Sequence, residues 1–391
     1  MKDDAHTATQ VMDYLQSVHV EMVAYLKELV IIESPSHDAS AQEDMLQRLA
    51  TSLRELNFHT EYVPGKVTGG FLYARPHQRD KTKPLQLLVG HCDTVWQKNT
   101  LQQMPIMEEN GRITGPGIYD MKAGLTQLIF ALKALKANEL NTSLCPIILI
   151  NSDEEIGSRE SSYAIERLAK VSERAFIMEP PLGLEGKLKT ARKGVGRFEI
   201  TVTGKAAHAG LDPGKGVNAI VELSHQVQRL YAMNDLDKGI TVNVGTIQGG
   251  ISPNVVAPES KAVVDVRVRN HQDGITITDK ILGLKPTFSD VEIKIEGGIG
   301  RPPLERTLRN QALWQLAQSK ALLLGLSLEE AIAGGGSDGN TTSTYTATLD
   351  GLGTTGDGAH ASHEYIFGDQ LVERTALLTL LLLSDSIEKD Q

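Results

Sequence analysis

His91 and Asp93 follow the apolar run Leu87-Leu88-Val89-Gly90, two residues apart. On an extended segment their side chains point to one side, so Asp93 can hold one imidazole nitrogen of His91 while the other binds a metal. The run reads as a strand that stops at a glycine, and strand ends are where open α/β sheets build their sites. Taken alone, the pair is a weak signal and reads more readily as a loop histidine beside an acceptor.

Five further clusters can join His91. Asp120 ends the rigid turn Gly115-Pro116-Gly117-Ile118-Tyr119-Asp120. Glu154 and Glu155 stand in Asn151-Ser152-Asp153-Glu154-Glu155-Ile156-Gly157, directly after an apolar strand, and Glu179 ends another such strand before Pro180-Pro181. His360 and His363 share the segment Gly356 to Tyr365, and His208 lies in Gly204-Lys205-Ala206-Ala207-His208-Ala209-Gly210. Each alone is compatible with a helix cap or a solvated loop group. Together, histidine and carboxylates on successive strand ends form a ligand set for a divalent pair. Imidazole with carboxylate suits two Zn2+ ions, with Co2+ or Mn2+ as alternatives. Without metal, Asp120, Glu155 and Glu179 would repel one another and some would stay protonated. Glu154 is the remaining acid of the cluster and a candidate base.

The elements that must position these groups follow from apolar spacing. Helical periodicity covers residues 10 to 32, about 41 to 56, the stretch after Asp120, and about 160 to 169. Strand-like runs lie near 71–74, 85–89, 146–150 and 175–178. This alternation predicts an α/β fold, a mostly parallel sheet with helices on both faces. From Lys193-Gly194 onward the pattern changes to half-buried alternation, at 197–202, 240–247, 261–269 and 291–295, with helices over 217–231 and 273–282 between. That predicts an inserted α+β domain with a four-stranded antiparallel sheet, over 195–301. Helical spacing then resumes at 308–324 and 371–387, so 1–194 and 302–391 would form one discontinuous domain.

Composition narrows the class. The chain has 391 residues, 40% hydrophobic and 23% charged, which suits two domains of an ordinary globular protein. With 39 basic against 49 acidic residues the net charge is −10, which argues against a nucleic-acid or anionic-membrane partner. No apolar run is long enough to span a bilayer, and the N-terminus has no signal-like core. Cys92 and Cys145 read as reduced core residues of a cytoplasmic protein. A dinucleotide site is rejected, because no Gly-x-Gly-x-x-Gly joins the first strand and helix, and Gly297-Gly298-Ile299-Gly300 is elsewhere.

The clusters, in this order, resemble the co-catalytic zinc metallopeptidases and deacylases that include glutamate carboxypeptidase, acetylornithine deacetylase, succinyl-diaminopimelate desuccinylase, aminoacylase and peptidase T. The resemblance covers nearly the whole chain. Lys205-Ala206-Ala207-His208-Ala209-Gly210 with Gly216-Val217-Asn218-Ala219 is most similar to the glutamate carboxypeptidase branch. It implies that His91 and Glu179 hold one metal, with Asp93 orienting His91. It implies that Asp120, through a cis bond to Met121, bridges both metals and that Glu155 and His360 complete the second site. His360 is preferred to His363 because relatives place this ligand four residues before a glutamate, here Glu364. Glu154 is then the general base, and His208 reaches the partner's site in a homodimer built through the inserted domain. Arg301 and Asn254 are the implied substrate-carboxylate contacts, with Gly335 and Ser337 in a glycine-rich loop nearby. The implied reaction is hydrolysis of an amide next to a free carboxylate, releasing C-terminal glutamate or a similar residue from a small peptide or N-acyl amino acid. An N-acyl amino acid deacylase and a di- or tripeptidase share this machinery. A metal-free amino-acid-binding relative is the rival of another class, and the intact ligand set argues against it.

Overall fold

The apolar run leading into His91 is a strand, Leu85–His91, with all seven residues buried. The computed structural model describes residues 2–387 and gives this strand a parallel neighbour on each side, Cys145–Asn151 and Ser172–Ile177. Six strands form the sheet, in the order 58–63, 71–76, 145–151, 85–91, 172–177, 347–349. The last four of these run parallel, and 58–63 and 71–76 add an antiparallel hairpin at one edge. Side chains alternate between faces. Leu88, Ile148, Ile150 and Phe176 enter the core shared with the helices Ala123–Ala137 and Gly368–Leu383. Leu87, Val89, Ile147, Leu149 and Ile177 pack instead with Ile165 and Ala169 of the helix Ser162–Ala169. Burial on both faces is why these strands read as unbroken apolar runs.

Two helix boundaries differ from the expected ones for visible reasons. The pattern over 10–32 is two helices, Lys2–Ser17 and His19–Ile31, broken at Val18 (φ −106°, ψ 12°). The last helix ends at Leu383, where the buried Arg174 guanidinium donates to the carbonyls of Leu381 (3.1 Å), Ser384 (2.8 Å) and Asp385 (3.0 Å). Residues 388–391 of the expected last domain lie outside the described residues. No helix among the described residues is long and apolar enough to cross a membrane. Cys92 and Cys145 are free and buried.

The chain packs as two units, the second being Ala191–Glu305 with Gly334–Gly336 and the first the described residues on either side. The second unit begins a few residues before position 195 and ends a few after 301, because Arg192 and Leu304 exchange backbone hydrogen bonds (2.9 and 3.1 Å). Its sheet is antiparallel throughout, in the order 241–249, 259–268, 194–203, 292–301. Phe198, Ile200, Val264 and Val266 pack against Leu223 and Leu230 of the helix Ala219–Tyr231 and Ile277 and Ile281 of His271–Leu282. On the opposite face Glu199 pairs with Lys261 at 2.6 Å, as the alternating sequence requires.

Candidate metal centre

Register brings the acids together. His91 ends its strand opposite Asn151, the last residue of the neighbouring parallel strand, and Val89 pairs with Ile177 on the other side. The residues just beyond these ends, Asp153 to Glu155 and Glu179, therefore emerge beside His91. The fourth segment arrives through a close approach. The helix Ala123–Ala137 starts so near the end of the Ser172–Ile177 strand that a Cβ on Gly124 would sit 2.0 Å from the Met178 carbonyl oxygen. Gly124→Ala is therefore expected to destabilise the fold by about 1–3 kcal/mol, the usual cost of overpacking. Urea unfolding tests this, and an unchanged midpoint would mean that the helix can move away freely.

Two sets of donor atoms result, each with all its atoms within 4.8 Å of one another: His91, Asp120 and Glu179, and Asp120, Glu155 and His360. Asp120 belongs to both. Its Oδ1 is 3.1 Å from His91 Nε2, and its Oδ2 is 3.6 Å from His360 Nε2. Glu179 Oε1 lies 3.5 Å from His91 Nε2, and Glu155 Oε2 lies 3.0 Å from His360 Nε2. The cluster is sealed at His91, whose side chain is 1% exposed, and open at His360, which is 51% exposed. His360 is held at φ 61°, a region few non-glycine residues adopt. His363 is in neither set. The peptide bond from Asp120 to Met121 is cis.

Asp93 does more than the sequence suggested, and differently. His91 Nδ1 donates to the Asp93 carbonyl (3.0 Å), with the carboxylate Oδ1 farther away at 3.4 Å. That carboxylate, fully buried, accepts instead from the Glu154 and Glu155 amides (3.2 Å each) and from Ser36 Oγ (2.8 Å). Asp93 thus fixes the short turn Glu154–Ile156 relative to His91. Glu154 is itself 9% exposed.

The donor set fits a cation pair. Because Nδ1 of His91 is committed to a carbonyl, Nε2 faces two carboxylate oxygens, and either a proton or a cation must stand between them. Burial pushes the His91 ring down, but Asp120, Asp93 and Glu179 outweigh it and hold the ring well above the usual imidazole range. The Glu155 hydrogen bond pushes His360 up to about 9. Burial raises Glu155 itself. Protons are thus gathered where a metal would otherwise neutralise the acids. Each set offers one imidazole and two carboxylates, three protein ligands with a position left for substrate or water.

Two groups near the cluster escaped the sequence reading. Glu364, used only to mark the register of His360, is 1% exposed and accepts from the Gly117, Tyr119 and Asp120 amides and from Trp96 Nε1. Asp338 accepts from Asn151 Nδ2 (2.8 Å) and Ser158 Oγ (2.5 Å), bracing the segment that carries Glu154 and Glu155. Ser337, expected beside the substrate, is fully buried; its hydroxyl donates to Asp350 (2.6 Å) and caps the helix Asp338–Tyr345. The cap forms because the polar segment after Ser337 turns helical and needs its first amides satisfied.

The remaining expected contacts lie in the second unit. His208 and Asn254 are brought side by side there, with the Ala209 amide donating to the Asn254 carbonyl and Val256 to Ala207, both at 2.9 Å. His208 Nδ1 accepts from the Gly210 (3.1 Å) and Leu211 (3.2 Å) amides, which leaves the proton of the neutral ring on Nε2. Arg301 ends the strand Glu292–Arg301, and its side chain lies against Gly336, where a Cβ would be 3.3 Å from Arg301 Cδ. Gly335 offers its carbonyl to Arg192 Nη1 at 3.2 Å.

Known proteins are similar to this chain in sequence and in fold. Residues 190–284 match the peptidase dimerisation domain of M20 peptidases. Over 371 residues the chain is 28% identical to carboxypeptidase G2 of a Pseudomonas species, spanning 93% of this chain and 88% of that protein. It is also 28% identical to acetylornithine deacetylase of Proteus mirabilis, over 68% of this chain and 72% of that one. The crystal structure of the aminopeptidase PepT from Bacillus cereus matches with a TM-score of 0.78 at 21% identity, covering 93% of this chain and 98% of the other. At that identity the likeness is one of fold.

Proposed function

Since the chain belongs to the M20 family of metallopeptidases and amidohydrolases, we propose that it is a dinuclear zinc hydrolase that cleaves an amide next to a free carboxylate. In this reading it is a carboxypeptidase releasing C-terminal glutamate or a similar residue. The observation that carries the proposal is the pair of donor sets sharing Asp120. His91 and Glu179 would hold one zinc and Glu155 and His360 the other, with Asp120 common to both. When bound, such a pair acidifies water and polarises the scissile carbonyl. Glu154 takes the proton of the attacking water and returns it to the leaving amine. Asp93 keeps that base aligned through the amides it binds. His208 presents Nε2–H to the oxyanion, and a homodimer built through the inserted domain would let it serve the partner's site. Arg301 would take the substrate carboxylate in a two-pronged ion pair, with Asn254 and Gly335 as further substrate contacts. The two free, buried cysteines suit a reducing, cytoplasmic setting.

The choice of branch rests on coverage, since carboxypeptidase G2 aligns over 93% of the chain and the Proteus deacetylase over 68%. Amine release from N-acyl-glutamate, a C-terminal glutamyl peptide and N-acetylornithine, measured side by side on the zinc-loaded protein, tests it. Glutamyl compounds are expected to be cleaved fastest, and Arg301→Ala to raise their KM by at least about tenfold, the loss of one charge-assisted pair. Preference for N-acetylornithine would move the protein to the deacylase reading, and an unchanged KM would take the carboxylate contact away from Arg301.

A further inference from the structure

Glu364 is a buried acid close to the cluster that belongs to neither donor set. Its Oε1 accepts from the Tyr119 (2.9 Å) and Asp120 (3.0 Å) amides, and its Oε2 from the Gly117 amide and Trp96 Nε1 (2.8 Å each). A carboxylate has about four lone-pair sites, so this one is fully used and has none left for a cation. The donors come from different segments. Three belong to the turn that carries Asp120. The fourth, Trp96, lies a few residues after His91 and Asp93, and Glu364 itself stands on the turn that carries His360. The packing leaves little room for drift, since a Cβ on Gly117 would lie 2.4 Å from Thr94 Cγ2 and one on Gly358 2.9 Å from Glu364 Cα.

We infer that Glu364 is a positioning residue for both cation sites, locking the segments of His91, Asp120 and His360 into one geometry through a single carboxylate. The inference rests on the metal-centre reading above. Its consequence is specific to a group whose two oxygens both accept. In Glu364→Gln one oxygen still accepts, but the amide NH2 faces two N–H donors that have lost their acceptor. The segments can then relax apart while the core strands stay in place.

The test is zinc affinity of the full-length protein, by competition with a chelator, together with the visible spectrum of the Co2+-loaded form. Glu364→Gln is expected to bind zinc ~10–100-fold more weakly, as loss of an outer-shell partner does, and to show an altered Co2+ spectrum. Trp96→Phe removes one donor and should weaken zinc binding in the same direction by less. If Glu364→Gln does not fold, Trp96→Phe decides alone. Wild-type zinc affinity and an unchanged Co2+ spectrum in the folded variants would overturn the inference. Failure of the wild-type protein to bind two ions would instead overturn the metal centre itself.

Discussion

If the proposed dinuclear centre is right, Asp120→Ala is expected to leave the protein folded, to empty both proposed metal sites and to lower turnover by roughly 10³-fold or more. Of the five residues in the two donor sets, only Asp120 appears in both, with one carboxylate oxygen towards His91 and the other towards His360. Removing it leaves each set with one imidazole and one carboxylate. That falls short of the three protein ligands that catalytic zinc sites use. The activity estimate follows from the several kcal/mol that such ions supply to developing charge, at about 1.4 kcal/mol per tenfold.

The measurement is zinc per chain beside kcat. Glu179→Ala and His360→Ala serve as contrasts, because each disturbs one set and should cost one ion. Two ions retained in Asp120→Ala would mean that the shared carboxylate is not what joins the sites. A protein that lost its ions but kept its turnover would remove the metal from the chemistry altogether.

How far the sequence carried the argument depends on where each partner sits along the chain. His91, Asp120, Glu154, Glu155 and Glu179 were legible because apolar runs end at them and glycines or prolines punctuate the turns. Such signals are local. The parallel sheet was legible from the same runs, whereas the edge strand Phe58–Val63 was not, since His59, Thr60 and Glu61 give it little apolar character. Glu364 was invisible as an anchor because its acceptors' partners, the Gly117, Tyr119 and Asp120 amides, lie 244 to 247 residues away and are backbone groups. No residue type signals them.

The capping role of Ser337 was hidden for the opposite reason. Gly334-Gly335-Gly336 reads as a flexible loop, and the helix that follows, Asp338–Tyr345, has no apolar stripe to announce it. That helix is stabilised by a buried polar network instead. Thr342 and Ser343 are buried there, Ser337 caps its start, and Asn340 completes the capping box. The serine-to-asparagine spacing was the available signal, a capping box with an amide in place of the usual acid. For His208 and Asn254, a separation of more than forty residues hid a backbone zipper that only the folded second unit displays.

Glu154→Gln is expected to keep both ions of the proposed centre and lose about 10²- to 10⁴-fold in kcat, the range for loss of a general base. The substitution is close to isosteric. It also leaves untouched the contacts that hold the turn, because Asp93 binds the Glu154 and Glu155 backbone amides and not their side chains. Neither donor set includes Glu154, so zinc content should not change. The neighbouring Glu155→Gln should behave in the opposite sense, losing the ion shared with His360, whose Nε2 is 3.0 Å from Glu155 Oε2. Two adjacent glutamates are thus separated by their readouts, one by turnover at constant metal and the other by metal itself. If Glu154→Gln instead loses zinc while Glu155→Gln keeps it, the two roles are exchanged. If Glu154→Gln turns over at a near-wild-type rate with both ions bound, the proton must leave the attacking water by another group, and Glu154 is only a buried acid beside the site.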